Sequence, residues 1–162
     1  MRYEHGFSLC ISSQVGCRMG CAFCASTMDG LQRNLTPSEM EGQIRAVSAA
    51  SGQRISNIVI MGIGEPLDNF DNVMAALSAI NSPEGLGIGY RHMTLSTCGL
   101  TEGIRRLMEK QLPLTLALSL HAPNDTIRRQ IMPAAKAVKI KGQARCSFRS
   151  RIRWRIMLST LS

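Results

Sequence analysis

Three thiols stand close together in the run Val15-Gly16-Cys17-Arg18-Met19-Gly20-Cys21-Ala22-Phe23-Cys24, at Cys17, Cys21 and Cys24. Gly16 and Gly20 let so short a loop turn sharply, so all three sulfurs are able to point into one concavity. Soft thiolates gathered in this way select zinc or an iron-sulfur cluster. A closed structural zinc site wants four protein ligands, usually as two separated pairs, whereas three cysteines on a four-iron cluster leave one iron open to a substrate. Cys10 is the nearest further thiol. It falls in Phe7-Ser8-Leu9-Cys10-Ile11-Ser12, which reads as a buried strand that holds the side chain in the sheet and away from the loop. The spacing therefore favours the open cluster over closed zinc.

The elements that must position this loop alternate between strand and helix. After the first strand and the cysteines, Thr36-Pro37-Ser38-Glu39 reads as a helix start, with Thr36 as N-cap, Pro37 at the first position and Glu39 closing a capping box. Met40, Ile44 and Val47 continue that helix to a stop at Gly52. Ile55 to Met61 reads as a second, buried strand, and Phe70, Val73, Met74, Leu77 and Ile80 as a helix broken at Asn81-Ser82-Pro83. Met93 to Thr97 is a third strand. A helix follows from Thr101, with Ile104, Leu107 and Met108 facing away from Arg105, Arg106 and Lys110. Leu114 to Leu120 is a fourth strand, after which Asn124 caps a short helix holding Ile127 and Ile131. This is an α/β pattern, a parallel sheet with helices outside, and in such βα folds functional groups gather at the C-terminal ends of the strands. The three cysteines, Gly64-Glu65, Ser96, and Ser119 with His121 all fall at that end.

The cysteine spacing, with Phe23 just before the last thiol, resembles the cluster loop of the radical S-adenosylmethionine (SAM) enzymes. Leu9-Cys10-Ile11-Ser12-Ser13-Gln14-Val15-Gly16-Cys17 and Met61-Gly62-Ile63-Gly64-Glu65-Pro66-Leu67 resemble more particularly the bacterial methyltransferases that modify carbon 2 of adenine in 23S ribosomal RNA and certain transfer RNAs. The likeness runs from Gly6 to Pro133. It implies a partial radical SAM barrel, four βα units of an open six-unit barrel, without the family's N-terminal accessory region and C-terminal part. It implies a [4Fe-4S] cluster on Cys17, Cys21 and Cys24, and SAM bound by Gly64, Glu65, Ser96, Ser119, Leu120 and His121. Gly64 and Glu65 suit the ligand's ammonium, since glycine admits close backbone approach and carbonyl and carboxylate oxygens accept its hydrogen bonds.

In the family mechanism that the resemblance implies, one SAM methylates a cysteine near the C-terminus. A second gives the 5′-deoxyadenosyl radical, which draws hydrogen from that methyl group. The resulting carbon radical adds to carbon 2 of adenine, and a further cysteine, matching Cys10, helps release the product. The implied partners are 23S rRNA, tRNA and an electron donor such as flavodoxin. A chain ending with the family pattern at Ala135 is expected to hold a cluster but not to methylate RNA alone. Two rival readings remain beside this one: a related radical SAM enzyme, such as an adenine carbon-8 methyltransferase, and a non-enzymatic zinc or nucleic-acid-binding module.

At 162 residues and 44% apolar content the chain is expected to form one domain with a buried core. The net charge of +8 is unevenly placed. Residues 136–162 carry eight Lys or Arg and no acid, while residues 1–135 balance 11 bases against 11 acids. Residues 1–135 are therefore read as the radical SAM core, and 136–162 as a basic tail, irregular, disordered or out of the family's frame. Its Phe148 and Trp154 are suited to stack on bases between phosphate-binding arginines. Apolar runs such as Ile58 to Met61 fall far short of the roughly 18 residues a membrane span needs. With no signal-peptide pattern at its start, the chain is expected to be cytoplasmic. Its six cysteines then read as metal-binding or catalytic rather than disulfide-forming.

Overall fold

The computed structural model describes residues 2–3, 6–136 and 152–157. In chain order its strands are β1 (Arg2–Tyr3), β2 (Gly6–Ile11), β3 (Gln14–Gly16), β4 (Leu31–Asn34), β5 (Ile55–Ile60), β6 (Met93–Thr97), β7 (Thr115–Ser119) and β8 (Arg153–Met157). Its helices are α1 (Pro37–Ser51), α2 (Phe70–Asn81), α3 (Thr101–Glu109) and α4 (Asp125–Ile131). β2, β5, β6, β7 and β8 lie side by side in that order, all parallel, and β1 pairs antiparallel with the outer edge of β2. Parallel neighbours need long crossovers, which the four helices provide. Among the described residues the sheet is open, an arc of a βα barrel.

Alternation along the strands separates two faces. Ile58, Ile60, Met93, Leu95 and Leu116 point outward into one core with Met40 and Ile44 of α1, Phe70, Val73, Leu77 and Ile80 of α2, and Ile104 and Leu107 of α3. The opposite face carries Cys10, Val59, Thr94 and Thr115 in one row of paired residues, with Ser96 and Ala117 in the next. Strand and helix boundaries follow the expected segments closely. Val47, expected on the apolar stripe of α1, is 40% exposed, which leaves Met40 and Ile44 as the buried residues of that helix.

α1 starts as its sequence dictates. Thr36 accepts from the Glu39 amide, the Glu39 carboxylate accepts from the Thr36 amide at 2.9 Å, and Gly52 ends the helix at φ +63°. Glu39 also meets Arg33, which with the cap amide holds its carboxyl down at about 2. A folded-state pKa below the unfolded value means the carboxylate stabilises the fold above the ordinary carboxylate range and ceases to as pH falls through its folded value. The difference in urea midpoint between wild type and Glu39→Gln is therefore expected to shrink steadily between about pH 5 and about pH 2. A difference that does not change over that interval would show that the cap carries no charge-dependent stability.

Two features depart from the sequence reading. The tail expected to be irregular contains β8, which pairs with β7 from Thr115↔Arg153 to Ser119↔Met157. The Arg153 amide donates to the Leu114 carbonyl at 2.9 Å, and Ile152 is buried in the main core. The open edge of β7 supplies the partner, which is a tertiary fact and not a local one. Lys139, Lys141, Arg145, Phe148, Arg149 and Arg151, the rest of the expected basic stripe, lie outside the described residues. The second departure is the antiparallel hairpin of β3 and β4, which brackets the cysteine loop. Gly16 sits there at φ +74°, and a Cβ would lie 1.9 Å from the Gly30 carbonyl oxygen, so only glycine closes the hairpin.

Candidate functional site

A cavity of about 210 Å³ opens at the C-terminal ends of the parallel strands. One wall is the cysteine loop, with Cys17, Cys21 and Cys24 all lining it. The other walls are Gly64 and Glu65 after β5, Ser96 and Thr97 of β6, and Ser119 and His121 at the end of β7. Nearly every residue singled out from the sequence thus meets in one place. Leu120 is not among the lining residues, and its carbonyl instead accepts from Arg128 at 3.2 Å. Cys10 does not line the cavity either.

Cys10 was expected to be buried, and this is corrected: it is exposed. Its neighbours Leu9 and Ile11 pack into the helix-side core, so alternation turns Cys10 to the opposite face. Its row, Cys10↔Val59↔Thr94, lies two residues below Ser96 along β6. At about 3.3 Å per residue, that is roughly 7 Å below the floor of the cavity on the same face.

Buried polar contacts that no local motif announces hold the walls together. The Gln14 side chain, 1% exposed, accepts from the Glu65 amide at 2.8 Å and donates to Asn34 at 2.8 Å and Asp68 at 3.0 Å. Arg18, inside the cysteine loop, forms an ion pair with Asp68, its Nε donating at 2.9 Å, which ties the loop to the segment after β5. Gly64 has φ +104°, and a Cβ would lie 2.6 Å from the Gln14 Cβ. Glycine is thus required here by packing against β3, a reason independent of any ligand. Gln14 is recognisable only afterwards, as a polar residue in a run whose backbone must serve two sheets.

Glu65, 4% exposed, joins the ends of β5 and β6. Its Oε1 accepts from the Leu67 amide at 3.0 Å and the Thr97 hydroxyl at 2.7 Å, and its Oε2 from the Cys98 amide at 2.8 Å. Burial pushes its pKa up, while these three donors oppose the rise. Burial, reinforced by Cys24 and Cys17, raises the Cys21 thiol to about 11; burial raises Cys17 as well. Cys98, which lines the same cavity, is driven higher still by burial and by Glu65. Burial, then the charge of Arg128, lowers His121, favouring its neutral ring. His121 sits at φ +53° and meets Phe23 edge-on, with ring centroids 4.9 Å apart, closing the cavity between the loop and β7.

Four sulfurs around one zinc ion, each about 2.3 Å from it, must lie within roughly 3.8 Å of one another. Among the described residues no group of three His, Cys, Asp or Glu side chains is gathered for a single ion. Three thiols on one cavity wall suit a polynuclear body whose corners are held separately.

Residues 11–141 match the radical SAM superfamily. The chain belongs to that superfamily. Membership brings a characteristic pair of cofactors, a [4Fe-4S] cluster and SAM. Among curated relatives, a probable dual-specificity RNA methyltransferase RlmN from Desulforamulus reducens is 55% identical over 140 residues, covering 86% of this chain and 40% of that protein. The protein of the same description from Alkaliphilus metalliredigens is 57% identical, with the same coverage. This radical SAM chain thus spans about 40% of the length of the curated relatives it matches. A radical SAM methyltransferase from Sphaerobacter thermophilus superposes with a TM-score of 0.90 at 37% identity, covering 98% of this chain and 48% of that one. SuiB of Streptococcus suis, solved bound to S-adenosylmethionine, shares the fold at a TM-score of 0.62 and 20% identity, over 96% of this chain and 35% of its own.

Proposed function

We propose that this chain is the cluster- and SAM-binding core of a radical SAM RNA methyltransferase acting on carbon 2 of adenine in 23S rRNA and tRNA. The observation that carries this reading is the meeting of three cysteines with Gly64, Glu65, Ser96, Ser119 and His121 around one cavity. The donor set fits the cluster, because Cys17, Cys21 and Cys24 each offer one soft sulfur from separate points of the loop. When bound, the cluster supplies one electron to the sulfonium of SAM, the chemistry that begins hydrogen abstraction.

The chain's own residues bind and orient. Thiols must give up their protons to bind metal, so the burial that raises Cys17 and Cys21 is overcome only when the metal arrives. A carboxylate offers about four acceptor positions. Glu65 uses these within the chain, on the Leu67 and Cys98 amides, the Thr97 hydroxyl and the Cys98 thiol, so toward the SAM ammonium it acts by its charge and by holding the Gly64-Glu65 backbone at the strand end. Ser96 and Ser119, with hydroxyls 3.4 Å apart, and His121 complete the polar wall, while Leu120, its carbonyl held by Arg128, fixes the end of β7 beside them. Phe23 against His121 joins the cysteine loop to the end of β7. Cys10, exposed on the same face, is the thiol that assists product release. A one-electron donor of the flavodoxin kind serves the cluster, and the protein works in the cytoplasm. In keeping with this, no helix among the described residues is long and apolar enough to cross a membrane.

Anaerobic reconstitution with iron and sulfide is expected to give a brown chain holding about four irons and, with SAM and reductant, to release 5′-deoxyadenosine. A colourless chain that takes up zinc in preference to iron overturns the reading. Any RNA methylation the chain supports is expected at carbon 2 of adenine, and a carbon-8 product overturns that assignment.

A further inference from the structure

Arg128 is the largest fully buried side chain among the described residues, at 0% exposure, although it carries a full charge. It sits on α4, and its donors go to backbone. Nη2 donates to the Cys98 carbonyl at 2.6 Å and more weakly to the Ser119 carbonyl at 3.4 Å, and Nε to the Leu120 carbonyl at 3.2 Å. One guanidinium thus fastens the end of β6 to the end of β7 immediately beneath the cavity. Nη1 is buried with no hydrogen-bond partner among the described residues. Arg128 is in none of the ion pairs seen among the described residues, and the charge of Asp125 favours its protonated form.

A buried cation without a contacting anion is costly. Three neutral donors would serve three carbonyls as well, so hydrogen bonding alone does not account for the charge. The surroundings do. α4 is docked against the cysteine loop: the Ala22 amide donates to the Ile131 carbonyl at 2.9 Å, and Met132 packs with Cys21 and Cys98. Negative charge enters this region when Cys17, Cys21 and Cys24 become thiolates.

We propose that Arg128 is a positioning residue that locks the ends of β6 and β7 and, by its buried charge, raises the reduction potential of a cluster held by Cys21. The inference rests on the reading under Proposed function. A nearby positive charge favours the reduced, more negative state of an iron-sulfur couple, since net local charge is among the factors that set its potential. In accord with this, the field of Arg128 reaches Cys21, Cys98 and His121.

The test compares the reconstituted full chain with its Arg128→Met and Arg128→Lys variants, using iron content, SAM affinity and an EPR-monitored redox titration. Arg128→Met, carrying as much iron as wild type, is expected to shift the reduced-to-oxidised ratio at fixed potential at least tenfold toward oxidised. That is a midpoint lower by about 59 mV for a one-electron couple. Arg128→Lys keeps the charge but cannot bridge three carbonyls. It is expected to hold its ratio within about threefold of wild type while binding SAM at least fivefold more weakly. An unchanged midpoint in an iron-loaded Arg128→Met overturns the inference. So does a tenfold shift in Arg128→Lys, which decides the matter if the methionine variant fails to fold. A wild-type chain that takes up no iron overturns the cluster reading and this inference together, whereas an iron-loaded wild type with an unmoved variant overturns this inference alone.

Discussion

Replacing Cys21 with alanine is expected to abolish iron uptake by the reconstituted chain, with at least a tenfold loss of bound iron and of violet absorption. Each of the three loop sulfurs holds a separate corner, and two thiolates leave half of a four-iron body without protein ligands. Rescue from within the chain is not available at either nearby thiol. Cys10 faces the sheet surface below the cavity rather than its lining. Cys98 does line the cavity, but its thiol is engaged in a hydrogen bond to the Glu65 carboxylate, which also opposes its ionisation, and the thiolate is the metal ligand. Cys17→Ala and Cys24→Ala are expected to behave as Cys21→Ala does. Iron content unchanged in Cys21→Ala, measured together with sulfide, would remove the cluster assignment.

Replacing Glu65 with alanine is expected to destabilise the fold by about 3 kcal/mol or more, read as a lowered urea midpoint. Three buried donors, from Leu67, Thr97 and Cys98, lose their acceptor at once, and each unsatisfied buried donor costs about 1–3 kcal/mol. Water entering the new space recovers part of the sum, which is why the expectation sits at the low end. Glu65→Gln separates charge from shape. Its amide NH₂ must face either the Cys98 amide or the Leu67 amide and Thr97 hydroxyl, so one donor meets another, and a loss of roughly 2 kcal/mol is expected. A total stability of about 5–15 kcal/mol makes either change large. An alanine variant as stable as wild type would mean that Glu65 does not join the strand ends and acts toward a ligand alone.

That double duty of Glu65 illustrates what local sequence conveys. Gly64-Glu65 at the end of a β-branched run marks a strand-end site, and the structure brings it beside the cysteines. The sequence reading assigns the carboxylate wholly to a ligand, whereas most of its acceptor capacity serves the chain. The same holds for Gly64, whose positive φ serves a contact with Gln14, 50 residues upstream in the chain. Contacts of that kind connect residues far apart along the chain and leave no periodic trace. β8 was missed for a related reason: Arg153-Trp154-Arg155-Ile156-Met157 becomes a strand because the free edge of β7 pairs with it.

Sequence by itself determined the order of strands and helices, the start and stop of α1, and the end of the sheet where the functional groups gather. These follow from apolar period, from caps such as Thr36 and Gly52, and from the rule that βα folds present their strand ends together. Tertiary structure alone decided which way individual side chains face and what charge lies beneath the site. On α4 the apolar Ile127 is 41% exposed while the cation Arg128 is fully buried, the reverse of what hydropathy expects. The physical reason is that three strand-end carbonyls and a thiol-lined cavity offer a guanidinium an environment that exists only once β6, β7 and the cysteine loop have come together.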